Sequence, residues 1–456
     1  MSDSSPGTVA GTPEPRLRDL LARAGAGVPF AASGLDLSHL DCSRAALDAL
    51  ATDEAPAWRD AESGGLALAR SDFARARLDG TDLGQANLRA ASFAGAVGRS
   101  AKFSGAILEE ADLGDTDLSG ADFTHIVAGQ VRLSGAMLED AQFGHAAMRF
   151  ADLSKALLDG ANFAEADLWG TDFTGADADD TVFRGARLDE AKLGDTNLTQ
   201  ADFEGASLTK AILVDSRLRG ANFTGAKLDG ADFSGADLSD ANLVRLNLAT
   251  CRLRHARFAG AWLNGTRMQV EQLGGAVGEE VEGSFAAAQT SYLALEQNWK
   301  SIGDQDAASW AYKRGRRMGR HEAGKQARAA WAVRDHRGLA RHGYRWIADR
   351  FVEWLCDYGE SLSRITRAFV LLIVVFAVLY GITGGLFITD GPEAGPTYNP
   401  LDLMSYSALN MMTANPPEIG LKPTGRVTNL LVGLEGAAGI ILMGLFGFVL
   451  GNRLRR

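Results

Sequence analysis

The residues with the most distinctive chemistry form the run Thr413-Ala414-Asn415-Pro416-Pro417-Glu418, and Glu435 follows inside an apolar stretch. The run sets hydroxyl, amide and carboxylate side chains in close succession around two prolines, and an ionisable side chain within an apolar helix marks a functional position. Covalent catalysis has no comparable footing. The chain contains no hydrolase elbow, P-loop, dinucleotide fingerprint or zinc-ligand spacing, and Cys42, Cys251 and Cys356 lie in unlike surroundings. The expectation is a protein that is not an enzyme and carries no metal site or cofactor.

Two apolar runs must position that strip. Ala368 to Thr389 has no charge over 22 residues, about 33 Å as a helix and enough to cross a bilayer. Val427 to Gly451 is the second run, with Glu435 its one charge. Between them Asn399 suits an N-cap, Pro400 the first helical position and Asp402 the first turn, which predicts a helix over 400–412 that is too short to cross. A span, a re-entrant helix, an irregular strip at 413–418 and a second span lay out a two-helix pore domain over 366–456. One copy encloses nothing, so such a domain assembles as a ring, and irregular backbone at membrane depth is tolerated where it lines a cavity or is buried in protein. Gly444 and Gly447 are candidate gating hinges, with close helix packing the competing explanation. Arg364 and Arg367 precede the first span and Arg453, Arg455 and Arg456 follow the second. The positive-inside rule then puts both ends in the cytoplasm of a cell-membrane protein.

Upstream, 284–365 reads as a basic helical linker. Phe285, Tyr292, Leu295 and Trp299 fall at helical spacing, and a second stretch with Ala307, Trp310 and Ala311 follows the break at Gly303-Asp304, so a helical hairpin packing on its neighbour is expected. From Ala311 to Arg367 there are 14 Lys/Arg against 6 Asp/Glu, net +8. Ile347, Phe351, Trp354, Leu355 and Tyr358 beside Arg341, Arg345 and Arg350 predict an amphipathic helix in a membrane interface, where basic residues meet anionic lipid headgroups. Nucleic acid is the disfavoured partner. His321, His336 and His342 are scattered and define no site.

The rest of the chain obeys a period of five. From Leu68 to Leu273 there are 42 sites at that spacing without a slip, and Leu or Phe fills all but Gly98, Ala128, Met148, Ala178 and Met268. Two residues before each site, Ala occurs 28 times and Ser, Thr or Cys another 9. Five fits neither a helix nor a strand. It fits a square coil in which each pentapeptide is one side, its large residue points inward and a small residue fills the gap beside it. The runs Ala111-Asp112-Leu113, Ala161-Asn162-Phe163 and Ala231-Asp232-Phe233 resemble the pentapeptide-repeat family. That resemblance implies a right-handed quadrilateral β-helix over 65–275, with four pentapeptides per coil and a rod near ~50 Å long. Leu35-Asp36-Leu37, Leu40-Asp41-Cys42 and Ala45-Ala46-Leu47 repeat the motif one residue out of phase, so 17–64 reads as an N-terminal cap or first coil. Residues 1–16 read as a disordered lead-in with no signal peptide.

Leu66 to Gly275 holds 30 Asp/Glu against 21 Lys/Arg, net −9. Some pentapeptide-repeat proteins are acidic rods that imitate DNA and protect a topoisomerase. Interspersed Arg and Lys favour an ordinary solvated face instead.

Tyr358-Gly359-Glu360, Ser405-Tyr406-Ser407-Ala408, Met412-Thr413, Pro423 and Leu434-Glu435-Gly436 resemble the potassium-channel-type pore domain found behind pentapeptide repeats. The resemblance implies a tetramer, permeating cations as ligands, Glu435 bracing the filter from behind, and a β-helix that senses a cytoplasmic protein or ligand. One part departs. Where that family has Thr-X-Gly-Tyr-Gly-Asp, this chain has Thr413 to Glu418 with two prolines, and proline cannot take the positive φ that a carbonyl ladder needs. Rings of Thr413, Asn415 and Glu418 would then face the ion, which implies weak selectivity among cations. The rival reading is a non-conducting membrane-anchored scaffold.

Overall fold

In the computed structural model, which describes residues 20–22, 26, 30–42, 47, 57–389, 395–413 and 420–454, the five-residue period is one side of a coil. Parallel bridges join one residue of a side to the residue twenty further on, Ala67 to Asn87, Asn87 to Ile107 and so on to Ser207 with Lys227, and again Asn247 with Arg267. Four pentapeptides therefore complete one turn. Each side ends in a β-turn, as where the amide of Ala106 donates to the carbonyl of Phe103 at 2.8 Å. The third residue of that turn has positive φ, 69° at Gly105 and 58° at Glu110, which is why glycine recurs there.

The interior is filled by ladders. Phe103, Phe123, Phe143, Phe163, Phe183, Phe203 and Phe223 stack nearly parallel with ring centroids 4.6 to 5.3 Å apart, close to the coil rise of about 4.8 Å. Ala101 beside Phe103 and Ala161 beside Phe163 are fully buried, so a larger side chain there would meet the next coil. Where the small residue carries a hydroxyl, its hydrogen bond is found inside the coil. Thr171, Thr181 and Thr196 donate to the carbonyls of Met148, Leu158 and Phe173 at 2.8, 2.9 and 2.8 Å. Cys251 does the same toward Leu228 at 3.0 Å, and burial pushes its thiol up to about 12, which leaves it unreactive.

At the N-terminal end, Ala31 pairs with Asp72, Asp36 with Arg77 and Asp41 with Asp82. The separation is 41, one residue more than two coils, and it accounts for the phase offset in the sequence. Leu20 is helical and fully buried, while residues 1–19 lie outside the described residues.

The opposite end is closed by α1 (Gly278–Val281) and α2 (Phe285–Ser301). Asn298 accepts from the Thr266 amide at 3.0 Å and donates to its carbonyl at 2.9 Å, and the Trp299 indole donates to the Met268 carbonyl at 3.1 Å. Glu279 accepts from the amides of Phe258 and Ala259, both at 3.0 Å, and from the Ser291 hydroxyl at 2.5 Å. These contacts satisfy edge groups that a further coil would otherwise pair.

The chain divides into two units, Met1–Ala311 and Tyr312–Arg456, with α3 (Gln305–Ala332) running across the division. The second unit continues with α4 (His336–Cys356), α5 (Leu362–Thr383), α6 (Pro400–Thr413) and α7 (Arg426–Leu454). β1 (Leu386–Ile388) pairs antiparallel with β2 (Gly395–Pro396) and β3 (Leu421–Pro423), so Phe387 lies opposite both Pro396 and Lys422.

Two expectations need correction. The first apolar helix begins and ends six residues earlier than 368–389, because Ser361 caps the Arg364 amide at 3.3 Å and Gly384, at φ 57°, ends the helix before β1. Absence of charge continued past the helix into a strand. The amphipathic segment is also interrupted. Asp357 and Tyr358 have φ of 50° and 58°, and Leu355 turns inward against Ile365, Ala368, Leu442 and Val449. Ile347, Phe351 and Trp354 remain exposed, whereas Leu355 and Tyr358 are buried.

Candidate functional site

The short helix α6 starts where Asn399 accepts a hydrogen bond from the Leu401 amide at 3.1 Å, and Thr397 bonds Asp402 at 3.1 Å in the first turn. Its fourteen residues span about 21 Å. The helix packs against both α5 and α7. Leu403, Tyr406, Ser407, Asn410 and Met411 form its buried side, and Met412 and Thr413 emerge at its C-terminal end.

Glu435 joins the three helices. It is fully buried on α7, and one carboxylate oxygen accepts from the Tyr380 hydroxyl on α5 at 2.6 Å and from the Asn410 side-chain amide on α6 at 2.8 Å. The other oxygen bonds the Ser407 hydroxyl. A buried carboxylate is costly unless its lone pairs are engaged, and three donors engage them here. Asn410 also donates to the Val432 carbonyl at 3.1 Å, fixing the register of α6 on α7. Among the described residues Glu435 braces the short helix, and the strip that the resemblance has it bracing lies, beyond Thr413, outside them.

Of the strip itself, Thr413 is described, and its hydroxyl donates back to the Leu409 carbonyl at 2.7 Å. Ala414, Asn415, Pro416, Pro417 and Glu418 lie outside the described residues. Gly444 and Gly447 sit within unbroken helix, and a Cβ at either would meet nothing within 4 Å among the described residues. The close approach is at Gly439 instead. A Cβ there would lie 2.1 Å from the Met411 carbonyl oxygen, so α6 and α7 reach this separation only with glycine at that position.

The sequence reading did not single out Tyr380, Ser407 or Asn410 as partners of Glu435. The available signal was polar side chains in apolar helices, with Ser407 and Asn410 three apart and hence on one face. It also missed a second buried carboxylate. Glu353 on α4 takes Arg317 at 3.0 Å, Arg350 at 3.3 Å and also Arg320, while Arg316 pairs with Asp349 at 2.5 Å. Basic residues on α3 thus pair with acids on α4, and this satisfies part of the positive excess of the linker.

The outer face of the coil unit carries both signs in register. Arg99 meets Asp117 at 2.7 Å, Arg149 meets Asp167 at 2.6 Å and Lys192 meets Asp172 at 3.2 Å, each across neighbouring coils.

Residues 68–269 match the family described as pentapeptide repeats, in eight overlapping copies. Over that segment the chain is a pentapeptide-repeat β-helix. Among solved structures it is similar to HetL, a pentapeptide repeat protein involved in heterocyst differentiation regulation in the cyanobacterium Nostoc sp. strain PCC 7120. The identity is 27%, covering 55% of this chain and 91% of that one, with a TM-score of 0.33. A pentapeptide repeat protein from the thylakoid lumen of Arabidopsis thaliana is 27% identical over 27% of this chain and 69% of its own, with a TM-score of 0.12. One from the cyanobacterium Cyanothece 51142 is 30% identical over 23% and 58%, also at 0.12. No curated protein matches the chain. The C-terminal region has two helices, Leu362–Thr383 and Arg426–Gly451, that are long and apolar enough to cross a membrane by length and composition.

Proposed function

We propose that this chain is a subunit of a membrane ion channel whose pore is built from α5, α6 and α7. The observation that carries the reading is the short helix held between two apolar ones by Glu435. At about 21 Å, α6 cannot span a hydrocarbon layer of roughly 30 Å, yet its Ser407 and Asn410 side chains are bonded to Glu435 within the unit. Its C-terminal end carries Thr413 and leads into the strip ending at Glu418. Only 22% of the apolar window in α5 and 28% of that in α7 are buried within one chain, far less than in the core helix of a soluble protein. Lipid and further copies of the chain would cover the remainder.

In this reading four copies surround the strip, the pore helices direct their negative ends toward it, and Thr413, Asn415 and Glu418 face the ion. The proline pair removes the carbonyl ladder, so the pore passes cations with weak discrimination. Both ends and the β-helix lie in the cytoplasm, where the rod presents paired charges to a protein or ligand. The cross-coil ion pairs support an ordinary solvated face over a continuous negative stripe that could stand in for nucleic acid.

The test is single-channel recording of the purified full chain in planar bilayers under a K⁺/Na⁺ gradient, with Glu418→Gln beside it. Discrete currents whose conductance or reversal potential changes in the variant are expected. Silence of folded, oligomeric protein across voltage, pH and divalent-cation conditions would overturn the channel in favour of a membrane-anchored scaffold.

A further inference from the structure

A cleft of about 310 Å³ opens where α4 meets the start of α5, lined by Arg350, Glu353, Trp354, Arg364 and Arg367. We propose that it is a binding site for the phosphate of an anionic phospholipid headgroup. This inference rests on the membrane reading above and gives it a lipid partner.

The charges come first. Arg317, Arg320, Arg350, Arg364 and Arg367 stand against Glu353 and Asp357, five guanidiniums to two carboxylates, which leaves +3. The carboxylates are already engaged on their inner side. Glu353 is held by Arg317 and Arg320 from α3, and Arg364 donates to the Glu353 backbone carbonyl at 2.7 Å. Arg364 is thereby fixed with its guanidinium at the cleft. Arg367 has no carboxylate partner among the described residues, and Arg350 reaches Glu353 through a side chain that is 64% exposed. Guanidiniums in excess over carboxylates, Arg350 from α4 and Arg364 and Arg367 from α5, meet on a concave surface and suit a phosphate diester, which takes forked N–H donors.

The surroundings favour a lipid over a free anion. Trp354 lines the same cleft and stacks on Phe351, with Phe351 and Ile347 exposed beside it on α4. Trp at the edge of an apolar helix is the side chain of the headgroup region, and the apolar face of α5 begins one turn beyond Arg367. A headgroup phosphate in the cleft would leave its acyl chains along exposed Val370, Leu371 and Val374. A soluble anion uses the arginines alone, whereas a lipid uses both surfaces.

The test uses the purified full chain in a neutral detergent, titrated with phosphatidylglycerol or phosphatidylcholine brominated near the headgroup. Trp354 quenching is isolated by difference from Trp354→Phe. Half-quenching is expected at about tenfold lower phosphatidylglycerol than phosphatidylcholine. Arg350→Gln/Arg367→Gln is expected to bring the two lipids together, while Arg367→Lys keeps the preference, and Arg364 is left intact because it holds the α4 backbone. An unchanged preference in the double variant overturns the site, and so does full displacement by millimolar inorganic phosphate with no help from the acyl chains. Protein that inserts into vesicles of both lipids without preference overturns this inference alone. Protein that enters neither overturns the membrane reading beneath it. Protein that prefers phosphatidylglycerol but passes no current keeps the site and loses the channel.

Discussion

The two units solve the problem of buried polar groups in opposite ways. In the coil unit every solution is repeated: an amide ladder, a stack of Phe rings, and a hydroxyl returned to a carbonyl 23 residues earlier. Each coil depends on its two neighbours and on nothing else, so the energy is a sum of nearest-neighbour terms. In the helical unit one carboxylate, Glu435, serves donors from two other helices at once. Repetition makes a rod tolerant of local error. A single shared acceptor makes three helices interdependent.

The largest effects test that contrast directly. Glu435→Ala leaves the Tyr380 hydroxyl buried without its acceptor and Ser407 and Asn410 with only the Ile373 and Val432 carbonyls, at a cost of about 3–5 kcal/mol. Phe143→Ala removes one ring from the stack and costs a similar ~3–5 kcal/mol. The consequences should differ in reach. In hydrogen exchange on the full chain, the first variant should lose protection across α5, α6 and α7 together, and the second only in the coils on either side of Phe143. A Phe143→Ala variant that melted the whole β-helix would break the nearest-neighbour account, as would an Glu435→Ala variant whose loss stayed within α7.

A smaller and more confined effect is expected at the end of the rod. Trp299 is fully buried and caps the last coil through the Met268 carbonyl. Trp299→Ala should cost about 3 kcal/mol of local stability, read as faster amide exchange over 248–268 with the coils near Phe143 unchanged. Uniform loss along the rod would show that the cap acts on the array as one cooperative body.

The coil unit was legible because its period is enforced at every position. Leu113 must be large and Ala111 small, since each faces its counterparts one coil away, and no other fold asks for that spacing. The turn glycines, as at Gly105, carried a signal of the same period that the large and small positions overshadowed. The helical unit was legible in outline, because apolarity over a long run constrains a segment to a helix or a membrane. Its boundaries were not, since apolarity does not distinguish the end of α5 from the strand at Leu386. Site partners were the least legible. That Glu435 is unusual is visible in sequence, but Tyr380 lies 55 residues away and meets it only through the packing of three helices. The glycine whose lack of a side chain is required proved to be Gly439, which differs from Gly444 and Gly447 only in what stands opposite it.

The finest test compares Glu279, a buried acid of the end cap, with the abundant surface acids of the rod. Glu279 accepts three hydrogen bonds on one oxygen, while its other oxygen is buried without a partner among the described residues. Burial dominates and holds its carboxyl above the ordinary 4.5. The folded end cap therefore keeps a proton that the unfolded chain has already released, so folding binds protons in this window. Its contribution is fully present below about 4.5 and is lost as pH rises through the folded value. Local stability at 248–301, followed by Trp299 fluorescence in denaturant, should fall as pH rises from that point, and Glu279→Gln should flatten the slope while leaving the cap folded. No packed atoms are lost in that substitution, so the change should be smaller than either truncation. Stability that climbed with pH instead would mean that the amides of Phe258 and Ala259 hold an ionised carboxylate. The rod would then share with the helical unit a dependence on one buried charge, and the contrast between repetition and a single shared acceptor would fail at its end coil.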